Sequence, residues 1–380
     1  MKFTCKTSNL KEAISKIEKI VSKQITLPIL ANIHLSCENG RIAVSATNLE
    51  IAIKTFLGAK IEEPGEITIP ARIMGGFLNS VKEDVVSGQV KGTELELTSE
   101  SHRIKIIGMD AKDFPIIPKM PEVIFFKVKP NKLRDAIPSL LTSVAHNDTR
   151  QELNGINIKL EADRMILAST DSFRLSEAVV EFDETTEEYA KYIEKNPSII
   201  VPALTLAELQ RVINEDELSF VVEQNQLFIE NSNFKIISRL INGNYPEYRQ
   251  VLPKNYDISV LVSKSELADA VKIAALVTNN QNGEVKISNS QDKSHLIISS
   301  QSIDTGDNLS KIPAKIEGLD FEVIFNCRYL SDGLNMAVTG DDSIILKLNQ
   351  QKSPVLLRST DVEKKENEKF SYVVMPIIKS

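Results

Sequence analysis

The sequence predicts an α+β protein of three similar domains in tandem, and three observations carry that reading. One amphipathic helix pattern occurs three times. A strand leading directly into a second helix also occurs three times, at matching intervals. Short alternating strands between turn signals fill most of the remaining chain.

The first helix pattern is Leu-x-x-Ala-(Ile/Val) followed by apolar residues at helical spacing. It begins at Leu10 (with Ala13, Ile14, Ile17, Ile20 and Val21), at Leu133 (with Ala136, Ile137, Leu140, Leu141 and Val144) and at Leu267 (with Ala270, Val271, Ala274 and Val277). The three leucines stand 123 and 134 positions apart. The second pattern starts from Ile69-Pro70-Ala71, Val201-Pro202-Ala203 and Phe325-Asn326-Cys327, spaced 132 and 124 apart. Helices then follow through Ile73, Met74, Phe77, Leu78 and Val81, through Leu206, Leu209, Val212 and Ile213, and through Leu330, Leu334 and Ala337. Two unrelated features with matching periods mark a repeat.

Arg41–Ala46, Gln226–Glu230 and Ser343–Leu348 read as strands. Asn39-Gly40, Asn242-Gly243 and Thr339-Gly340-Asp341-Asp342 read as turns. Prolines at 121 and 253 close the first two repeats, which sets domains at residues 1–121, 122–253 and 254–380. Pro138 falls inside the second repeat's first helix. Its missing N–H costs about 3 kcal/mol in a helix interior, so a kink or break is expected there.

Composition narrows the function classes. The chain of 380 residues has 42% hydrophobic and 26% charged residues, as globular proteins do. No apolar run approaches the roughly 20 residues of a membrane helix, so no membrane role is expected. The N-terminus has no signal-peptide core. Cys5, Cys37 and Cys327 are odd in number and scattered, which fits a reducing cytoplasm and no disulfide framework. A net charge of −7 opposes coating of the whole surface by nucleic acid. The absence of Trp opposes base stacking along a single strand. The four histidines lack metal-ligand spacing, and no phosphate loop or nucleophile elbow occurs, so no metal, cofactor or catalytic site is expected. His146 near Asp148 and Asp171 is the one imaginable acid–base group, and a surface or capping role suits it better.

Basic residues gather on helix faces. Lys16, Lys19 and Lys23 form one stripe, diluted by Glu12 and Glu18. Arg72, Lys82, Lys132, Arg134, Arg211, Lys264 and Lys272 lie on the other helices. A solvated helix face explains any one of these. Repeated around an axis, they would offer phosphate contacts that carry no sequence information.

Several segments together resemble the bacterial DNA polymerase III beta subunit, or sliding clamp, in that family's order along the whole chain. They are Met1–Thr4, Thr26–Ile33, Asp148–Gly155, Ser169–Leu175, Asn242–Asn255 and Ser371–Pro376. The resemblance implies a head-to-tail homodimer, with six domains closing a ring around double-stranded DNA, helices inside and sheets outside. It implies a processivity factor that tethers the DNA polymerase III catalytic subunit and is opened by an ATP-dependent clamp-loader complex. It also implies a hydrophobic pocket that docks peptide motifs of polymerases, loader and repair polymerases. Carried over, that pocket comprises Leu153, Thr170, Phe173, Arg174, Leu175, Pro246, Val251, Val373 and Met375. The dimer contact pairs Ile104 and Ile106 with Leu276 and Val277. The DNA-facing candidates are Lys16, Lys19, Lys23, Arg72 and Arg150.

This chain departs from the family's better-known members at several positions. Phe173 replaces a histidine and Gln250 an arginine, which alters the expected peptide preference. Gln24, Gln151, Glu152, Ala203 and Leu204 replace family DNA contacts. The competing reading is a peptide-docking scaffold built from the same repeats, with no hold on DNA.

Overall fold

The computed structural model describes residues 1–21, 27–146, 149–253, 255–278, 283–336, 343–350, 353–359 and 370–378. Among these residues the chain forms seven α-helices and 26 strands, and every strand pair is antiparallel. The first repeat runs β1 (Lys2–Lys6), α1 (Thr7–Ile17), β2 (Asn32–Glu38), β3 (Arg41–Thr47), β4 (Ile51–Gly58), β5 (Lys60–Glu63), β6 (Gly65–Pro70), α2 (Ala71–Ser80), β7 (Val85–Lys91), β8 (Glu94–Thr98) and β9 (Arg103–Ile107). The second runs β10 (Phe126–Val128), α3 (Pro130–Thr142), β11 (Gly155–Leu160), β12 (Arg164–Thr170), β13 (Arg174–Glu181), β14 (Glu184–Thr185), α4 (Glu187–Ile193), β15 (Ser198–Pro202), α5 (Ala203–Val212), β16 (Leu218–Glu223), β17 (Gln226–Glu230) and β18 (Phe234–Arg239). The third runs β19 (Ile258–Ser263), α6 (Lys264–Thr278), β20 (Glu284–Asn289), β21 (His295–Ser302), β22 (Gly306–Gly318), β23 (Glu322–Asn326), α7 (Cys327–Met336), β24 (Ser343–Leu348), β25 (Val355–Ser359) and β26 (Phe370–Val374).

Both predicted helix series stand where the periods place them. Helices α1, α3 and α6 each follow the first strand of a repeat, and α2, α5 and α7 each follow a strand without a loop. Burial explains the spacing. Leu10, Ile14 and Ile17, then Leu133, Ile137 and Leu140, then Leu267, Val271 and Ala274 are all buried. Helix α1 stops at Ile17, short of the expected Val21, yet Ile20 still packs inside after one further turn. Helix α3 continues through Pro138 instead of breaking. Buried Leu133, Ile137 and Leu140 hold the turns on either side, and their burial outweighs one lost backbone bond.

Each repeat contributes two sheets, and sheets run on from one repeat to the next. In the first repeat the sheets are β5-β1-β7-β8-β9 and β4-β3-β2-β6. Strand β4 then pairs with β18 of the second repeat, placing Phe234 opposite Thr55, Ile236 opposite Ile53 and Ser238 opposite Ile51. This seam produces one nine-stranded sheet. Strand β13 of the second repeat pairs in the same way with β26 of the third, placing Phe370 opposite Ala178, Tyr372 opposite Ser176 and Val374 opposite Arg174. That seam produces a twelve-stranded sheet. Strands β4 and β13 match along their length, each eight residues with the same alternation of burial.

The seams cut the second repeat in two. The whole chain falls into two compact units, Met1–Asn131 with Phe182–Lys195 and Leu204–Leu240, and Lys132–Glu181 with Asn196–Ala203 and Ile241–Ser380. Strand β22 departs from the pattern. It is 13 residues long and pairs with β21 over one half and with β19 over the other, combining the roles of β4 and β5. It ends at Gly318 with φ +102°, where an added Cβ would sit 2.0 Å from the Asp257 carbonyl oxygen.

Among the described residues two strand edges lack the partner that their counterparts have. Strand β9 corresponds to β18 and β26 but ends its sheet. The Gly306–Pro313 half of β22 corresponds to β4 and β13 but pairs only with β21. Both edges carry apolar side chains in solvent, with Ile107 77% and Leu309 72% exposed.

All three cysteines are buried and unbridged. Burial pushes the Cys5 and Cys37 thiols up to about 12. Native protein should therefore resist Ellman's reagent at pH 8 at both positions, and unfolding in urea should expose them to it. A thiol held protonated in the fold stabilises fully below its unfolded value, near pH 8.5, and this contribution is lost as pH rises towards 12. Chemical denaturation at pH 7 and pH 10 should show the loss.

Candidate functional site

An apolar floor forms across the second seam. Thr170 of β12, Leu175 of β13, Val373 of β26 and Leu356 of β25 are successive cross-strand partners in one row. Alternation puts their side chains on one face of the sheet. Ala168, Leu175, Leu356 and Val373 form a single buried cluster there, with Tyr248, Leu252 and Tyr256 packed over it. The segment between the repeats thus lies over the floor. It is held by Glu177, which accepts a hydrogen bond from the Tyr248 hydroxyl and pairs with Arg249 Nη2 at 3.1 Å. Pro246 is exposed, and Val251 is 62% exposed, on the 3₁₀ turn Tyr248–Val251.

A tight turn closes one end of the floor. Thr170 Oγ1 accepts from the Ser172 N–H at 3.0 Å and donates to the Arg174 carbonyl at 2.6 Å. Asp171 Oδ1 accepts the Phe173 and Arg174 N–H groups, each at 3.0 Å. Ser172 takes φ +76°. The turn presents Phe173 to solvent at 58% exposure, with its ring 6.2 Å from that of Tyr329. The Met375 N–H donates to the Phe173 carbonyl at 2.8 Å and brings the half-buried Met375 to the same end.

Arg174 does not line this floor. Its neighbour Leu175 takes the floor side, and the Arg174 side chain turns to the opposite face, 6% exposed. There it pairs with Asp171 at 2.9 Å and with Asp332 of α7, and its guanidinium lies 4.5 Å over the Tyr329 ring. Beside it the buried Tyr372 hydroxyl donates to the Tyr329 carbonyl at 2.7 Å, and burial raises its pKa. Gly333 permits this packing, since a Cβ there would meet the Tyr372 ring at 2.4 Å. These groups fix the turn from beneath and hold the strand that carries Val373.

The other sequence candidates are dispersed. Leu153 is fully buried in the second repeat's core. Lys16 pairs with Glu12 at 2.7 Å, Lys19 is exposed, and Lys23 lies outside the described residues. Arg72 is exposed on α2, which packs against α1. Arg150 is exposed and donates to Ser172 Oγ at 3.0 Å. Of the proposed dimer residues, Ile106 is 1% exposed and belongs to the core, whereas Leu276 is 78% exposed. Ile104 and Val277 are half-buried. Sequence reasoning missed Ile107, whose place on the outward face follows from alternation once Ile106 points inward. It also missed Leu356, Tyr329 and Asp332, which only strand pairing and helix packing bring to the site. No described helix is long and apolar enough to cross a membrane, and no described cluster of three or more His, Cys, Asp or Glu could hold a metal ion.

The chain thus consists of three repeats with sheets continuous across them, an apolar floor at the second seam and, among the described residues, two apolar strand edges without a partner. Three family models match in order: the N-terminal domain of the DNA polymerase III beta subunit over residues 1–118, its central domain over 127–247 and its C-terminal domain over 249–378. The chain is 28% identical to the beta sliding clamp of Synechococcus elongatus, over 99% of both chains. It is 26% identical to that of Bacillus subtilis, over 96% of this chain and 97% of the relative. The crystal structure of the Bacillus subtilis DNA polymerase sliding clamp superposes with a TM-score of 0.90 at 24% identity, covering all of both chains. A Pseudomonas aeruginosa sliding clamp bound to griselimycin superposes with a TM-score of 0.89, also at 24% identity. The chain belongs to the DNA polymerase III beta subunit family.

Two substitutions test the support beneath the turn. Asp332→Ala removes one partner of a buried guanidinium. Uncompensated buried charge costs about 3–5 kcal/mol, and the remaining Asp171 reduces the expected loss to about 2 kcal/mol, readable by urea denaturation. Gly333→Val should cost about 3 kcal/mol by overpacking against Tyr372, more than the roughly 0.5 kcal/mol of helix propensity it gains.

Proposed function

We propose that this protein is a DNA sliding clamp of the replication machinery, a processivity factor with no chemistry of its own. Two copies join head to tail, and the six domains encircle duplex DNA. The observation that supports this most directly is the pair of unpartnered edges. Two seams inside the chain use one rule, in which the last strand of a repeat pairs with the fourth strand of the preceding repeat. Strand β9 and the Gly306–Pro313 half of β22 are the two edges left over. Joining them between copies, twice, applies the same rule and satisfies both edges. It also buries Ile107, Leu309 and the exposed Leu276. This heterologous contact closes when the rotation between copies fits. The interface therefore centres on Ile107 and Leu309, with Leu276, Val277 and Ile104 at its border and Ile106 serving the core.

The domains we assign are 1–121, 122–253 and 254–380, a reading supported by the order of the three matched models. The floor at the second seam receives an extended peptide motif from the polymerase catalytic subunit, the clamp loader or repair polymerases. Leu175 and Val373 form its base, Thr170, Phe173 and Met375 its closed end, and Pro246 and Val251 its rim. Leu153 and Arg174 support it from the core. Lys16, Lys19, Lys23, Arg72 and Arg150 supply DNA contact, consistent with weak phosphate attraction in a protein that must slide. A cytoplasmic setting fits the unbridged thiols.

Placing lysine at an edge introduces charge where an apolar seam should close. Ile107→Lys and Leu309→Lys should each shift the protein from dimer to folded monomer in sedimentation velocity. A dimer that persists in both variants contradicts the edge pairing. Met375→Ala should weaken binding of a clamp-motif peptide roughly tenfold, about 1.4 kcal/mol by calorimetry, and leave the dimer intact. Unchanged affinity would remove the closed end from the pocket.

A further inference from the structure

The turn and floor of the second seam are built twice in this chain, and we infer that the first seam carries a second peptide-docking site. The inference rests on the reading of the second seam as a peptide site. The occupant we assign is an extended peptide with an apolar anchor and a neighbouring carboxylate.

The repetition extends to individual hydrogen bonds. Thr47 Oγ1 accepts from the Leu49 N–H at 3.0 Å and donates to the Ile51 carbonyl at 2.9 Å, as Thr170 does for Ser172 and Arg174. Asn48 Oδ1 accepts the Glu50 and Ile51 N–H groups at 3.0 and 2.9 Å, as Asp171 does for Phe173 and Arg174. Leu49 takes φ +75° where Ser172 takes φ +76°. Both residues carry a Cβ, so positive φ bears a steric cost in each turn, the greater for the bulkier leucine, which the surroundings must hold in place. The Arg239 N–H donates to the Glu50 carbonyl at 2.9 Å, as that of Met375 does to Phe173.

The floor repeats as well. Thr47, Ala52, Ile237 and Phe228 are successive cross-strand partners, matching Thr170, Leu175, Val373 and Leu356. Val221, Phe228 and Ile237 form a buried cluster under Ile117, Met120 and Phe125 from the segment between the first two repeats. Two apolar side chains of this turn and segment remain in solvent, Leu49 at 46% and Ile116 at 95% exposure.

Charge distinguishes the two seams and selects the occupant. Where the second seam has Glu177 and Ser371, the first has Lys54 and Lys235, which face each other across the strands. Lys235 pairs with Glu230 at 2.6 Å. Lys54 is half-buried and has no carboxylate within ion-pair distance among the described residues, although Glu38 and Glu66 act on it from further away. Burial and Lys235 both disfavour its charged form. A half-buried ammonium beside an apolar row is complementary to a carboxylate next to an apolar anchor.

The test is calorimetric titration of the full-length protein with two synthetic pentapeptides, Asp-Leu-Asp-Leu-Phe and Lys-Leu-Lys-Leu-Phe. The acidic peptide should bind twice per chain. One event should weaken tenfold or more in Lys54→Glu, recover in Lys54→Arg and stay unchanged in Met375→Ala. The other should respond to Met375→Ala alone. Lys235→Glu should reproduce the Lys54→Glu effect, which separates charge from damage at one position. The basic peptide should lose the Lys54-dependent event. A single event, sensitive to Met375→Ala and indifferent to Lys54→Glu, overturns the second site and leaves the first intact. No binding of either peptide overturns both.

Discussion

Backbone hydrogen bonding across repeat boundaries is the constraint on which this architecture depends. Each repeat ends in a three-strand run whose last edge must find partners for its N–H and C=O groups. Strand β18 finds them on β4, and β26 finds them on β13. The domains are therefore joined by sheet, and the compact units of the fold cross the boundaries of the sequence repeat. A joint of this kind fixes register, because a one-residue slip would turn Leu175 and Val373 inward and Arg174 outward.

The site follows from the seam. Joining β13 to β26 lines up apolar residues from two repeats in one row, and neither repeat could form that floor alone. The same joint places Arg174 against Asp332 and Tyr329 from α7. A buried ion pair adds little net stability against an apolar alternative, because desolvation offsets the attraction. Its contribution here is geometric. It fixes the turn that carries Phe173 and the strand that carries Val373, so a flexible peptide would meet a preorganised surface and lose less entropy on binding.

Much of the architecture was legible in the sequence. Periodicity located all six repeated helices because apolar spacing and burial are the same fact seen twice. Leu10, Leu133 and Leu267 illustrate it, each at most 1% exposed. Of the kink or break expected at Pro138, the break does not occur, since tertiary burial on both sides overrides the local backbone penalty. Thr170, Leu175 and Val373 of the floor were legible only through resemblance and Leu356 not at all, because these residues meet through strand pairing over long sequence separations. Edge residues were the hardest. Ile106 and Ile107 have the same chemistry, and only the register of β9 decides which one faces out. The duplicated turn at Thr47 and Thr170 was not legible because only the threonine is shared, with Asn48, Leu49 and Glu50 in one turn standing where Asp171, Ser172 and Phe173 stand in the other.

The most direct test is whether the hold on DNA is topological. Protein loaded onto nicked circular DNA by the cognate clamp loader and ATP would be challenged with high salt, before and after one restriction cut. A ring closed at its β9 and β22 edges predicts retention on the circle and loss from the linear form, because salt weakens phosphate contacts but cannot open a closed loop. Equal loss from both forms as salt rises would show that contact is only electrostatic and would contradict the ring.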